Sequence, residues 1–318
     1  MKDYLVFDAN SLVYASQATT PLIANGMEVQ AIYQTLKTIR STMQRECNFT
    51  NVVMLWDDRA QFRIDLYPDY KGKRTDDPVK LLNREKIAAQ RPILKKALRA
   101  LGVTQMVSKG YEADDIAGFL TRRLNSANRK VRLCTGDKDW LQLINLQTDW
   151  FDPRERIERQ CNRVTFEEFT GFQTTGQFVQ AKALQGDNSD NIKGVGRIGG
   201  KSAGLIMRHF GSVEKMLAKH AELGGFNNDN LAEEMVKARM VKALNDFCTG
   251  AGLDLFKRNM AIMDLSSGDR DKDIQANLEI DRPKSKDWDE FADIVMELNM
   301  SSIYSNLDNW KRVFGGAA

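Results

Sequence analysis

Histidine is almost missing from this 318-residue chain: only His209 and His220 occur, and both stand far from every acidic motif. A histidine-based catalytic triad or a histidine zinc site is therefore a poor reading, and both residues are expected to serve packing or the surface. Cysteine is scarce as well. The four, Cys47, Cys134, Cys161 and Cys248, are dispersed and make no C-x-x-C, so reduced thiols are expected. No apolar run approaches the ~20 residues that span a bilayer, and no basic stretch followed by an apolar one opens the chain. With 42% hydrophobic and 28% charged residues, the composition is that of a globular intracellular chain holding one large core or two modest ones.

Carboxylates are plentiful, and they recur at one kind of place. The apolar runs Leu5-Val6-Phe7 and Val52 to Trp56 read as buried strands of a parallel sheet and end on Asp8 and Asp57. Asp57 is preferred to its neighbour Asp58 because it directly ends the strand. A third run, Val131 to Cys134, leads into Thr135-Gly136-Asp137-Lys138-Asp139, where a helical pattern through Trp140, Leu141, Leu143 and Ile144 begins. Between them Glu112, Asp114 and Asp115 open a helix continued by Ile116, Phe119 and Leu120, with Glu112 and Asp115 on one face. In open α/β sheets such strand ends share one crevice. Each acid alone would also suit a helix cap or first turn, worth roughly 0.3 to 1 kcal/mol. The set together does not, because this many like charges repel unless cations or protons neutralise them. All-oxygen ligation of that kind suits Mg²⁺ or Mn²⁺.

Net charge is only +3, yet it is unevenly spread: residues 59–99 hold twelve Lys or Arg against five acids. A basic block beside an acidic strand end suits a polyanion steered to a metal site, although a solvated basic helix fits residues 84–99 equally. Within it, Tyr67 to Arg74 interleaves aromatics with cations, as a strand-stacking and phosphate-contacting loop would. Pro68, Gly72 and Pro78 predict a loop or short broken helices there. From about Thr174 a second, helical region begins. Its acidic turn Gly186 to Asn191 is followed by Gly194-Val195-Gly196-Arg197-Ile198-Gly199-Gly200-Lys201-Ser202. No strand precedes this segment, so the G-x-G-x-x-G match is rejected, and Val195 occupies a position where a Walker loop needs glycine. A helix-hairpin-helix, with backbone N–H groups aimed at a DNA phosphate, is the better reading.

These blocks together resemble the 5′ nuclease family: flap endonucleases, the 5′-nuclease domain of bacterial DNA polymerase I, and above all the stand-alone bacteriophage 5′ to 3′ exonucleases. The matching stretches are Leu5 to Asp8, Trp56-Asp57 with Phe62-Arg63, Pro68 to Arg74, Gly110 to Asp115, Thr135 to Asp139 and Lys182 to Ser202. The resemblance implies a mostly parallel α/β sheet carrying a helical arch or clamp, plus a helical region with a helix-hairpin-helix. It divides the chain into a nuclease domain at 1–173, with the basic arch at 60–99, and a DNA-binding region at 174–318, with the hairpin at 182–210. It implies two Mg²⁺ ions, replaceable by Mn²⁺. Asp8, Asp57, Glu112 and Asp114 match one metal cluster, and Asp115, Asp137, Asp139, Asp187 and Asp190 the bridging and second-cluster acids. Tyr70, Lys71, Arg74 and Lys182 match residues near the scissile phosphate, with Tyr70 a stacking candidate. Arg63, Lys73, Gly194, Gly196, Arg197, Gly199, Gly200, Lys201 and Ser202 match DNA contacts, with a K⁺ at the hairpin.

One departure stands out: the family places an arginine shortly after its first aspartate, whereas Tyr14 is followed here by Ala15. The implied activity is cutting of 5′ ends and flaps in branched or nicked DNA, or of RNA in RNA–DNA hybrids, in replication or repair. A monomer is expected, in the cytoplasm of its cell or of a phage host, working beside a polymerase or single-strand binding protein. The alternatives are a non-catalytic branched-DNA binder of the same fold and a metal-dependent RNA-processing nuclease.

Overall fold

The computed structural model describes residues 3–46, 48–72, 77–154 and 159–315. Its first half alternates strands and helices: β1 (Asp3–Asp8), α1 (Ala9–Gln17), a small hairpin of β2 (Ile23–Ala24) and β3 (Met27–Glu28), α2 (Gln30–Arg45), β4 (Phe49–Trp56), α3 (Gln61–Leu66), α4 (Pro78–Ala100), β5 (Thr104–Ser108), α5 (Ala113–Ser126), β6 (Val131–Cys134), β7 (Thr148–Asp152), β8 (Arg159–Cys161) and α6 (Phe166–Thr170). The sheet runs β8-β7-β6-β1-β4-β5 and then β9 (Leu278–Asp281). Its five central strands are parallel, while β8 and β9 are antiparallel edges. Val6 of β1 lies opposite Val53 on one side and Leu133 on the other.

The central strands are apolar without alternation because helices cover both faces. Leu5 and Phe7 pack with Leu36 of α2 and Leu94 of α4, whereas Val6 packs on the other face with Ile116 of α5. The chain winds outward from β1 through β4 to β5, then returns to the far side of β1 for β6 and β7. Winding direction therefore reverses between β1 and β6, the place where open α/β sheets form a crevice beyond the carboxyl ends of their strands.

The second half is helical: α7 (Thr175–Gln185), α8 (Gly200–Phe210), α9 (Val213–Leu223), α10 (Glu233–Lys237), α11 (Val241–Thr249) and α12 (Ala251–Met263), around a core that includes Leu184, Val195, Ile206, Met216, Leu244 and Phe247. Then α13 (Asp271–Ala276) leads into β9, followed by α14 (Trp288–Glu297), α15 (Ser301–Tyr304) and α16 (Leu307–Gly315). Among the described residues no helix is long and apolar enough to cross a membrane.

Three local expectations change. The pattern around Trp140 forms a short 3₁₀ helix, Lys138–Leu143, and Ile144 has already turned extended at ψ 133°. Residues from 278 onward sit with the α/β body rather than the helical region: β9 pairs with β5, and Phe291, Trp310 and Phe314 join the core beneath α2 and α4. Pro78 does not break a helix but opens one, at the first turn of α4 with Asp77 as cap. Ile87, Leu94, Ala97 and Leu98 bury one face of α4, while Lys80, Arg84, Lys96 and Arg99 are exposed.

Candidate metal centre and nucleic-acid interface

Asp8 ends β1 and caps α1, accepting Ser11 N–H at 2.9 Å and Thr135 Oγ1 at 3.0 Å. Asp57 follows β4, held by Ala113 N–H at 2.8 Å and Asn10 Nδ2 at 2.5 Å. Asp58 turns away and accepts Gly110 N–H at 2.8 Å, so the crevice acid of the pair is Asp57. Asp114, in the first turn of α5, takes Trp140 Nε1 at 2.7 Å. Asp137, after β6, caps the 3₁₀ helix through Asp139 N–H at 2.8 Å. The parallel strands thus deliver four aspartates to the switch point.

Their electrostatics follow from their crowding. Burial, then repulsion from Asp57 and Asp137, pushes Asp8 up to about 7. Burial and Asp139 raise Asp137 to about 6, and burial with Glu112 raises Asp57. Asp114 is driven well above the ordinary range by burial, then by Asp137, Glu112, Asp8 and Asp57. These are the signs of a carboxylate group short of positive charge.

The remaining acids already have cations. Burial alone would raise Glu112, but Lys71 and Arg63 pull it below its usual value. Lys71 Nζ is in direct contact with Glu112 and stands 3.9 Å from Asp190. Lys182, on α7, contacts Asp139 and lies 3.7 Å from Asp187. Asp187 also folds its own turn, accepting Ser189 N–H at 2.8 Å and Ser189 Oγ at 2.6 Å. A cavity of ≈ 20 Å³, room for about one water-sized occupant, lies among Asp114, Asp139, Asp187, Asp190 and Tyr70. Asp114 and Asp139 therefore face the hairpin acids Asp187 and Asp190 across a single small space.

Other expected site residues come out differently. Arg63 cannot touch DNA from where it sits: it is 3% exposed and forks onto Asp115 at 2.5 and 2.9 Å. Asp115, 2% exposed, is held by that fork. Tyr70 is no open stacking platform. It is 7% exposed and donates its hydroxyl to Glu112 at 2.8 Å and Asp190 at 3.1 Å. Lys73 and Arg74 lie outside the described residues.

The hairpin joins α7 to α8. Gly186, at φ +76°, and Gly194 are packed backbone to backbone: a Cβ on Gly194 would lie 2.1 Å from Gln185 O. Gly194 is thus glycine for packing rather than for a ligand. Gly196 (φ +53°), Arg197, Gly199, Gly200 and Lys201 are exposed, and Ser202 is half-buried. Val195, Ile198 and Ala203 anchor the loop from below. No side chain caps the first turn of α8, which leaves its leading N–H groups for an outside acceptor.

Sequence reasoning missed several participants. Asn10 and Thr135 orient Asp57 and Asp8, and polar side chains flanking strand-end acids were the available signal. α4 carries Arg91 to 3.5 Å from Asn10 Oδ1, a cation beside the first turn of α1, where Ala15 offers none. The Arg154 guanidinium, forked onto buried Asp152 at 2.8 and 2.9 Å, lies over Gly136, where a Cβ would meet it at 1.4 Å. No signal in the local sequence pointed to that contact.

The donor set fits hard divalent cations: carboxylates and hydroxyls, no thiolate and no imidazole. Among the described residues no three acidic, histidine or cysteine side chains are already gathered around one point, and Lys71 and Lys182 neutralise part of the set instead. A measurable consequence follows from the four raised aspartates. A carboxyl whose folded value exceeds its unfolded one costs nothing below the unfolded value of 3.8 and its full penalty above the folded value, about 7 for Asp8. In EDTA, the melting temperature should fall as pH rises from about 4 to about 7, and Mg²⁺ should abolish most of that fall. A flat or rising EDTA curve across that window would contradict the electrostatics.

Comparison with known proteins identifies the lineage. Residues 3–171 match the family model described as 5′-3′ exonuclease, N-terminal resolvase-like domain, and residues 173–267 the model described as 5′-3′ exonuclease, C-terminal SAM fold. DNA polymerase I of Lactococcus lactis subsp. cremoris is 32% identical over 244 residues, covering 73% of this chain and 26% of that protein. A 5′-3′ exonuclease of Mycoplasma pneumoniae is 31% identical over 233 residues, covering 70% of this chain and 77% of that one. The chain spans roughly a quarter of the DNA polymerase I relatives. Among solved structures, bacteriophage T5 5′-exonuclease with bound zinc has a TM-score of 0.69 at 21% identity, covering 93% of this chain and 100% of that one. A T5 flap endonuclease complex with DNA and metal ions has a TM-score of 0.67 at 19% identity, covering 94% and 100%. Those two likenesses establish the fold, and the family models with the Mycoplasma relative establish the lineage: the chain belongs to the 5′-3′ exonuclease family.

Proposed function

We propose that this chain is a structure-dependent 5′ nuclease that hydrolyses phosphodiester bonds at 5′ ends and 5′ flaps of branched or nicked DNA with the help of two divalent cations, Mg²⁺ by preference. The observation that carries the reading is the switch-point crevice, where Asp8, Asp57, Asp114 and Asp137 crowd together at raised pKa and Asp114 faces Asp139, Asp187 and Asp190 across a one-water cavity. Asp8, Asp57, Asp114 and Asp137 would hold one ion, and Asp139, Asp187 and Asp190 a second once Lys182 withdraws. Ions there supply Lewis-acid stabilisation of the attacking water and the departing 3′ oxygen.

The chain's own groups do the rest. Lys71, delivered to Glu112 by a loop pinned to the hairpin turn, places an ammonium where charge grows on the phosphate. Tyr70, kept protonated far above its usual range chiefly by burial, orients Glu112 and Asp190 as a hydrogen-bond donor. The exposed hairpin from Gly196 to Lys201 would hold duplex backbone, a contact without sequence preference. The resident cation at the hairpin, the choice between DNA and RNA–DNA hybrid, and action beside a replication polymerase belong to the same reading.

The direct test compares end-labelled 5′-flap, nicked, blunt and hybrid substrates with Mg²⁺ and after EDTA. Cleavage that prefers 5′ junctions and vanishes with EDTA is expected; undiminished cleavage in EDTA would end the proposal. For the hairpin, Gly196→Phe should weaken binding to duplex-containing substrates by about tenfold, ~1.4 kcal/mol, while sparing the rate at saturating DNA. The +53° backbone adds about 1 kcal/mol of strain to any such variant, so folding is checked by thermal melting. Unchanged duplex affinity in a folded variant returns the loop to a purely structural role.

A further inference from the structure

Asp115 stands beside the crevice acids in sequence, yet its carboxylate is fully engaged inside the protein. Arg63 NH1 and NH2 reach it at 2.5 and 2.9 Å, Glu112 N–H donates at 3.1 Å, and Arg270 NH2 lies 3.5 Å away. A carboxylate offers about four lone-pair directions, and these donors account for them. Both side chains are closed to solvent, at 3% for Arg63 and 0% for Asp115.

Arg63 in turn ties separate segments together. Its Nε donates to Ile262 O at the end of α12 at 3.0 Å, and NH1 approaches Glu112 Oε2 at 3.4 Å. The guanidinium lies 4.6 Å from the Phe62 ring centroid and 5.8 Å from that of Tyr70. Tyr70 and Lys71 are the residues that bind Glu112 from the other side. One buried fork therefore connects α3, the start of α5, the Lys71 loop and the last turn of α12.

Resting on the nuclease reading above, we infer that Arg63 and Asp115 are a positioning pair: Asp115 ligates no metal, and the fork holds Glu112 and the Lys71 loop where they meet the substrate phosphate. Were Asp115 to turn toward a cation, it would leave a guanidinium buried without its partner, the costly way to break a buried ion pair. The crevice keeps Asp8, Asp57, Asp114 and Asp137 for the ion, and among the described residues none of these four has a guanidinium or ammonium as hydrogen-bond donor.

The test measures Mn²⁺ binding by calorimetry on the full chain alongside single-turnover cleavage at saturating DNA and metal. Asp115→Asn should change Mn²⁺ affinity by less than about threefold, while Asp114→Asn weakens it by tenfold or more. The cleavage rate of Asp115→Asn should nevertheless fall by about tenfold or more with DNA affinity little changed, and Arg63→Lys, which retains charge but not the fork, should match it. The double variant should be no slower than either single one, because both break the same link. If Asp115→Asn loses Mn²⁺ as severely as Asp114→Asn, the residue is a ligand and the inference falls. Independent, multiplying losses in the double variant also overturn it. If Asp114→Asn too keeps full Mn²⁺ affinity, the failure lies with the metal-centre reading itself. Melting temperatures within a few degrees of the parent keep these outcomes separate from misfolding, and Arg63→Lys carries the test should Asp115→Asn fail to fold.

Discussion

Asp114→Asn is expected to lower single-turnover cleavage by about 10³-fold or more, ~4 kcal/mol of transition-state stabilisation, while raising the melting temperature of the metal-free protein. The two effects share one cause. Asp114 is half-buried beside Asp137, Glu112, Asp8 and Asp57, and desolvation followed by repulsion from these four drives its pKa far up. Its hydrogen-bond donor is neutral, the Trp140 indole at 2.7 Å, and an asparagine oxygen can accept that bond equally well. Removing the charge therefore relieves repulsion without opening a cavity or orphaning the indole. The same removal takes away a ligand from the place where the strands converge. Melting in EDTA and cleavage in Mg²⁺ measure both sides. A variant that is less stable in EDTA, or that keeps its rate, would show that Asp114 is a first-turn helix acid and not part of a metal centre.

Much of the crevice was legible because it rests on local rules. A parallel strand buried on both faces must be apolar throughout, so Leu5-Val6-Phe7 and Val52 to Trp56 identify themselves, and the acids that end them mark the ligand edge. The hairpin was legible for a similar reason, since glycines at 186 and 196 meet backbone angles other residues resist. What stayed hidden depends on partners far away in sequence. Arg63 read as a DNA contact because it lies in a basic block, and nothing local says that Asp115, 52 residues on, takes it inside. Strand β9 is short and half-exposed, with Ile280 at 52%, so only its pairing with β5 identifies it. Tyr70 read as a stacking candidate, and only the fold brings Glu112 and Asp190 to its hydroxyl.

These long-range links make the two halves of the crevice one unit. The Lys71 N–H donates to Asp190 O at 2.9 Å, Asn191 Nδ2 to Asp69 O at 2.8 Å, and Tyr67 Oη to Asn191 O at 3.0 Å. A loop from the α/β body is thus stitched to the acidic turn that precedes the hairpin. Duplex held on the hairpin would sit in fixed register with the ammonium and the acids, which is how a backbone-reading protein can select a junction without reading bases.

Lys71→Ala should reduce the single-turnover rate by about 10²-fold, ~2.7 kcal/mol, with a much smaller change in DNA affinity. An interaction that grows with charge on the phosphate lowers the barrier without tightening the ground state, and that is the role proposed for Lys71. Its side chain is 19% exposed, it contacts Glu112, and its backbone stays in the left-handed region at φ +56°, a conformation lysine adopts only when neighbours enforce it. Alanine keeps that strain and removes the ammonium, whereas Lys71→Gly removes both. If charge is what matters, the glycine and alanine variants should be equally slow, with glycine the more stable of the two. Recovery of rate in the glycine variant would mean that loop geometry, not the cation, sets the chemistry. Equal losses of rate and affinity in both would make Lys71 an ordinary binding residue.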